Sequence, residues 1–162
     1  MPTIDPSRRA LFRGQLRPPR ASHRVPWMVD DFVDVCQRCD DCIRACEPGV
    51  LRRADGGFPS IDFQRGGCEF CAACVAACEH GALDSSDDRP AWRLTARIGE
   101  GCLDARGITC RTCGDACETR AIRFQLAVGG RALPTLDPSL CNGCGSCIAL
   151  CPVHIIEIEE PA

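Results

Sequence analysis

The chain has 162 residues, of which 16 are Cys; 25% are charged, 45% are apolar, and the formal net charge is −3. This composition excludes wholesale disorder and a collagen-like repeat, and no apolar run approaches the roughly 18 residues of a membrane-spanning helix. All 19 basic residues are Arg and Tyr is absent, which removes Lys- and Tyr-based catalysis.

The first 27 residues read as a basic N-terminal arm. Arg8, Arg9, Arg13, Arg17, Arg20 and Arg24 stand against Asp5 alone, a side-chain charge of +5 that leaves −8 on the remainder. Asp5-Pro6-Ser7 suits the cap of a short helix ending near Gly14. Ser7-Arg8-Arg9-Ala10-Leu11-Phe12 is similar to a twin-arginine export signal, but Arg13, Gln15, Arg17 and Pro18-Pro19 occupy the place of the apolar region such a signal requires. Two uses of the arm are expected: recognition of an acidic partner surface through Arg8, Arg9, Arg13 and Arg17, or folding back on the acidic body. No nucleic-acid partner is expected, because the body is acidic and carries few aromatics on which bases could stack.

The cysteines then arrive in four groups of four. Cys36, Cys39, Cys42, Cys46 form the first group, Cys68, Cys71, Cys74, Cys78 the second, and Cys141, Cys144, Cys147, Cys151 the fourth, each spaced C-x2-C-x2-C-x3-C. The third, Cys102, Cys110, Cys113, Cys117, opens its first gap to seven residues, with Gly107 free to form a bulge there. A disulfide framework does not need this regularity, and thiols three apart on a curled loop bridge one another poorly. Zinc takes paired knuckles of two cysteines, and three in succession are one too many. Three inward thiolates from one loop instead suit three irons of a cubane, with the fourth Cys, a helical turn on, ligating a neighbouring cluster. Four [4Fe-4S] clusters are therefore expected on the sixteen cysteines, the third group being the weakest of the four.

The copies extend past the ligands. Four and five residues after each fourth Cys stand Val50/Leu51, Ala82/Leu83, Ala121/Ile122 and Ile155/Ile156, at successive offsets of 32, 39 and 34 residues. That is one supersecondary unit used four times, with a short strand beginning at a constant offset. Val50–Arg53 and Phe58–Phe63 around Asp55-Gly56-Gly57 read as a hairpin, as do Ile122–Val128 and Arg131–Leu136 around Gly129-Gly130. The polar stretch Asp84–Pro90 reads as a linker. The expected fold is α+β: two tandem bacterial-ferredoxin-like modules, 28–86 and 90–160, each a 2[4Fe-4S]-type unit of short hairpins and short helices. Adjacent groups then share clusters: Cys36, Cys39, Cys42 with Cys78; Cys68, Cys71, Cys74 with Cys46; Cys102, Cys110, Cys113 with Cys151; Cys141, Cys144, Cys147 with Cys117. Spacing leaves open a nested scheme, first group with fourth and second with third. Small residues between ligands (Ala72, Ala73, Gly143, Gly145) admit backbone N–H groups close to cluster sulfurs, and Ile43, Val75, Ile148 and Leu150 are expected to bury them.

No catalytic constellation accompanies these groups. His23, His80 and His154 are scattered, and no nucleotide loop or Cys–His nucleophile pattern is present. With Ser7-Arg8-Arg9 in an arginine-rich start, Pro26-Trp27 before the first Cys group, two C-x2-C-x2-C-x3-C runs, the seven-residue gap and a final ferredoxin run, the chain resembles the NapF-type ferredoxins over essentially its whole length. Glu47, Glu79 and Glu118 depart from the Pro that simple ferredoxins place after the fourth Cys; only Pro152 keeps it. The resemblance implies a cytoplasmic, non-enzymatic iron–sulfur accessory protein of the periplasmic nitrate reductase system. It also implies contact with the molybdenum-containing catalytic subunit before export and a part in its maturation, in supplying either an iron–sulfur cluster or electrons. A plain electron carrier, or an electron-transfer subunit serving other redox proteins, is the competing expectation. With sixteen thiolates and four oxidised cubane cores of +2, the net charge falls to roughly −11.

Overall fold

The computed structural model describes residues 25–54, 56–86 and 89–160. The arm arginines Arg8, Arg9, Arg13 and Arg17 lie outside the described residues. Val25, Pro26 and Trp27, on the arm side of the expected boundary, pack into the body; Val25 is 1% exposed.

One local turn recurs at all four fourth cysteines. The N–H of Gly49, Gly81, Arg120 and His154 donates to the carbonyl of Cys46, Cys78, Cys117 and Cys151 at 3.0, 3.2, 2.9 and 3.1 Å. Each donor holds a positive φ, +66°, +68°, +55° and +50°. Glycine adopts this conformation freely, whereas Arg120 and His154 accept its strain, so His154 serves the turn geometry. The chain leaves every turn with a buried apolar pair: Val50/Leu51, Ala82/Leu83 and Ala121/Ile122 lie within the core, and Ile156 follows a half-buried Ile155.

The secondary structure between these turns is short. Helix α1 (Phe32–Val35) precedes the first Cys group, and α2 (Asp41–Arg44) carries its third thiol. Strands β1 (Leu51–Arg53) and β2 (Pro59–Ile61) form the first hairpin, with Leu51 opposite Ile61. Helix α3 (Ala73–Ala76) follows, then β3 (Thr95–Ile98), a 3-10 turn (Asp104–Arg106) and α4 (Thr112–Asp115). Strands β4 (Ile122–Ala127) and β5 (Arg131–Leu136) make the second hairpin, then come α5 (Ser146–Ala149) and β6 (Ile156–Glu159). Both hairpins stand where their Gly-containing turns place them. The second half also joins its two ends, β3 pairing antiparallel to β6 with Ala96 opposite Ile158. In the first half that pairing shrinks to a single bridge, Met28 to Leu83, so the second copy's apolar pair starts no strand. Each half of the tandem ferredoxin-like architecture is thus a hairpin plus a pairing of its two ends, a strand pair in the second half and a single bridge in the first.

The two halves pack as one body. Trp92 stands between Phe63 and Phe70, with ring centroids at 5.9 and 5.6 Å, and Trp27 meets Phe70 edge-on at 6.4 Å. Such aromatic pairs add about 1 kcal/mol each beyond burial. The described ends of the Asp84–Pro90 linker are held: the Asp84 N–H donates to the Trp27 carbonyl at 2.8 Å, and Arg89 Nη2 donates to the Asp84 carbonyl at 2.9 Å. Across the joint, the Cys68 N–H donates to the Cys144 carbonyl at 2.8 Å.

Gly145 holds φ +81°, and the Phe63 ring occupies the place its Cβ would take. Gly145→Ala is therefore expected to cost about 3 kcal/mol through backbone strain and overpacking, read as a lowered thermal midpoint of the cluster-loaded protein.

Candidate metal centres

In the three regular Cys loops the backbone winds identically. The residues two and four after the first Cys are left-handed: Arg38 and Asp40 at φ +57° and +68°, Phe70 and Ala72 at +53° and +56°, Gly143 and Gly145 at +70° and +81°. Each second left-handed residue (Asp40, Ala72, Gly145) then caps a four-residue helix bearing the third Cys. This double reversal curls the loop around a common centre. Only the fourth loop uses glycine at both positions; the first two hold non-glycine residues there at an energetic cost.

The thiols converge on separate cavities. One is lined by Cys36, Cys39, Cys42 and, from the second group, Cys78. A second is lined by Cys68, Cys71, Cys74 and, from the first group, Cys46. A third is lined by Cys141, Cys144, Cys147 and, from the third group, Cys117. In the third group, Cys113 lies within electrostatic reach of Cys102 and of Cys151, the fourth cysteine of the last group, and Cys110 is the remaining thiol of this set. These four sets are here called sites A (Cys78), B (Cys46), C (Cys117) and D (Cys151), each after its exchanged cysteine. The exchange of fourth cysteines is between adjacent groups; the nested scheme is not the arrangement seen.

All sixteen cysteines are free thiols, so no disulfide competes for them. Among the described residues, no three His, Cys, Asp or Glu side chains stand close enough to grip a single metal ion. Four thiols around one predominantly apolar lining, with no tight single-ion site, suit a multi-iron cluster, which would supply one-electron redox chemistry when bound.

Burial acts strongly on these thiols. It pushes Cys42 up to about 11, with further raising by the Cys36, Cys78 and Cys39 thiolates. It pushes Cys74 and Cys147 up to about 12, and Cys68 and Cys113 up to about 11. In the metal-free chain these groups are therefore protonated at neutral pH, and metal binding must release their protons. Cys117 differs. Burial raises it too, but hydrogen bonds from the Thr119 side chain and from the backbone N–H groups of Ile122, Ala121 and Thr119 outweigh that and hold it below its ordinary value. The same kind of support reaches Cys141, whose Sγ accepts the Ala96 N–H at 3.4 Å. Donors aimed at sulfur are levers on cluster potential.

The third group departs from the others as its spacing predicts. Its long gap folds into the 3-10 turn Asp104–Arg106, closed by Gly107 at φ +84°. Asp104 is 5% exposed, and Arg111 Nε lies 3.9 Å from its Oδ2. Nothing in the spacing singled out this buried carboxylate. Leu150, expected to shield a site, is 51% exposed, whereas Ile148 is 4% exposed within the core.

Residues 35–82 and 107–155 each match the family model of the 4Fe-4S dicluster domain. The chain is 43% identical over 158 residues to the ferredoxin-type protein NapF of Escherichia coli, covering 96% of both. It belongs to the NapF-type ferredoxins. A NapF of Haemophilus influenzae is 45% identical over 139 residues, 85% of this chain and 78% of that one. The methylamine utilization ferredoxin-type protein MauM of Methylorubrum extorquens is more distant, 35% identical over 153 residues, 84% of this chain and 67% of that one. As a NapF-type ferredoxin the chain is an iron–sulfur protein with two regions that match the dicluster domain. Among the described residues, no helix is long and apolar enough to cross a membrane.

Proposed function

We propose that this chain carries four [4Fe-4S] clusters on its sixteen cysteines and serves as a cytoplasmic accessory protein in the maturation of a periplasmic nitrate reductase. It would bind the precursor of the catalytic subunit before export. The observation that carries the cluster reading is the convergence of four thiols on each of three cavities, every set drawing its fourth Cys from the adjacent group. The accessory role is supported by identity to NapF across the chain and by the contrast between a basic arm, with Arg8, Arg9, Arg13 and Arg17, and an acidic body. A soluble carrier has no need of such an arm; a protein that recognises a precursor does. The modules suggested are 28–86 and 90–160, with Val25–Trp27 joined to the first.

Truncation tests this reading. Full-length protein is expected to retain the nitrate reductase precursor in a pull-down, and a form lacking residues 1–24 is expected to lose at least tenfold in affinity, about 1.4 kcal/mol. Unchanged binding and unchanged nitrate reductase maturation without the arm would refute the accessory role.

A second reading, electron delivery to a redox partner, is favoured by one contact: the Cys68–Cys144 backbone hydrogen bond joins the cysteine loops of the two halves.

A further inference from the structure

The four cysteine sets are neighbours in the order A, B, C, D. In the first half, helix α2 with Cys42 of A packs against helix α3 with Cys74 of B. In the second half, helix α4 with Cys113 of D packs in the same way against helix α5 with Cys147 of C. Sites B and C meet where the two halves join. The Cys68 N–H of B donates to the Cys144 carbonyl of C at 2.8 Å, so a path of covalent bonds and one hydrogen bond connects a thiol of B to a thiol of C.

That closeness depends on residues without side chains. A Cβ on Gly67 would overlap the Ser146 hydroxyl and lie 3.0 Å from the Ser146 backbone nitrogen. A Cβ on Gly145 would overlap the Phe63 ring. Gly67 has no positive φ, so its backbone is open to any residue. What calls for glycine at this position is the opposing module. Trp92 wedges between Phe63 and Phe70 and donates its Nε1–H to the Asn142 carbonyl at 2.9 Å. This bond fixes the loop that carries Cys141 and Cys144 against the first half. A flexible pair of independent ferredoxins would have no use for such a joint.

We infer that the Cys68–Cys144 contact, held by Gly67, Gly145 and Trp92, electronically couples site B to site C, so that the four sites act as one relay in the order A, B, C, D rather than as two separate two-cluster carriers. Transfer across it is a one-electron exchange: the reduced group at one site is oxidised by one electron and the oxidised group at the other is reduced by one. No bond is made or broken, and no proton need move. The electron enters the line from an external one-electron donor at one end and leaves to an acceptor at the other. This inference rests on the four-cluster reading proposed above.

The test uses full-length protein, anaerobically loaded with iron and sulfide and reduced with dithionite. Iron and sulfide content is measured first, and EPR line shape and microwave-power saturation second. Coupled neighbours relax one another's spins, so wild type is expected to show broadened, hard-to-saturate signals. Gly67→Val, which wedges the joint, is expected to keep its iron and spin count while its half-saturation power falls several-fold and its lines narrow. Gly67→Ala combined with Ser146→Gly removes the obstructing hydroxyl and is expected to restore the wild-type signal. Should Gly67→Val lose iron, the smaller Gly67→Ala is read in its place against the same rescue. Wild-type and wedged proteins with equal iron and superimposable saturation behaviour would overturn the relay while leaving the four-cluster reading intact. A low iron content in wild type would instead count against that reading.

Discussion

Metal-free protein is expected to be largely unfolded at neutral pH, showing no cooperative thermal transition by circular dichroism, while the cluster-loaded protein melts cooperatively. The reason lies in the dimensions of the fold. Among the described residues the α-helices have four residues each and the strands three to six, far below the ~12–15 residues at which an isolated helix becomes even marginal. Modules of this size bury too little apolar surface to stand alone, and the hydrophobic core counts Cys42, Cys74, Cys147 and Cys151 among its members. Without metal, only weak local structure holds the four thiols of each set together. Metal binding then supplies folding free energy directly. The electrostatics point the same way at alkaline pH. Thiols raised from 9.0 to about 11 or 12 in the folded, metal-free chain stay protonated after those of the unfolded chain ionise. The unfolded state then binds fewer protons, and stability of the metal-free fold falls as pH climbs above about 9. A cooperative melt of iron-free protein would contradict this account.

The second large effect separates the adjacent exchange of ligands from any other pairing. Cys46→Ser is expected to empty site B, not the site of its own group, lowering the iron from about sixteen to about twelve per chain. Cys68, Cys71 and Cys74 should then become open to alkylation, read by mass spectrometry of the labelled peptides. Cys36, Cys39 and Cys42, which neighbour Cys46 in sequence, should stay protected with Cys78. Protection of Cys68, Cys71 and Cys74 with labelling of Cys141, Cys144 and Cys147 would mean a nested assembly.

Much of this site was legible because metal chemistry imposes local rules. The x2-x2-x3 spacing compels a loop with two left-handed residues, and those occur at the same offsets in all three regular loops. The buried pairs after each fourth Cys and the two glycine-turn hairpins follow from apolar pattern and turn chemistry in the same way. What was not legible is what depends on distant residues. Nothing in the stretch Thr95–Ile98 announces its partner Ile156–Glu159, because each is only four residues long and their spacing carries no hairpin signal. Gly67 reads as an ordinary loop glycine until Ser146 is placed against it. Trp92 and Phe70 have no periodicity, and their meaning arises only when the two halves pack. Leu150 follows the helical stripe of Ile148 closely enough to look buried, yet at the end of a four-residue helix it turns to solvent.

The cluster count is tested most directly by iron and acid-labile sulfide analysis of anaerobically purified protein, combined with EPR spin quantitation after reduction. Four clusters require about sixteen irons and sixteen sulfides per chain, with four interacting S = 1/2 centres. A total near four irons, or zinc alone, would contradict that count.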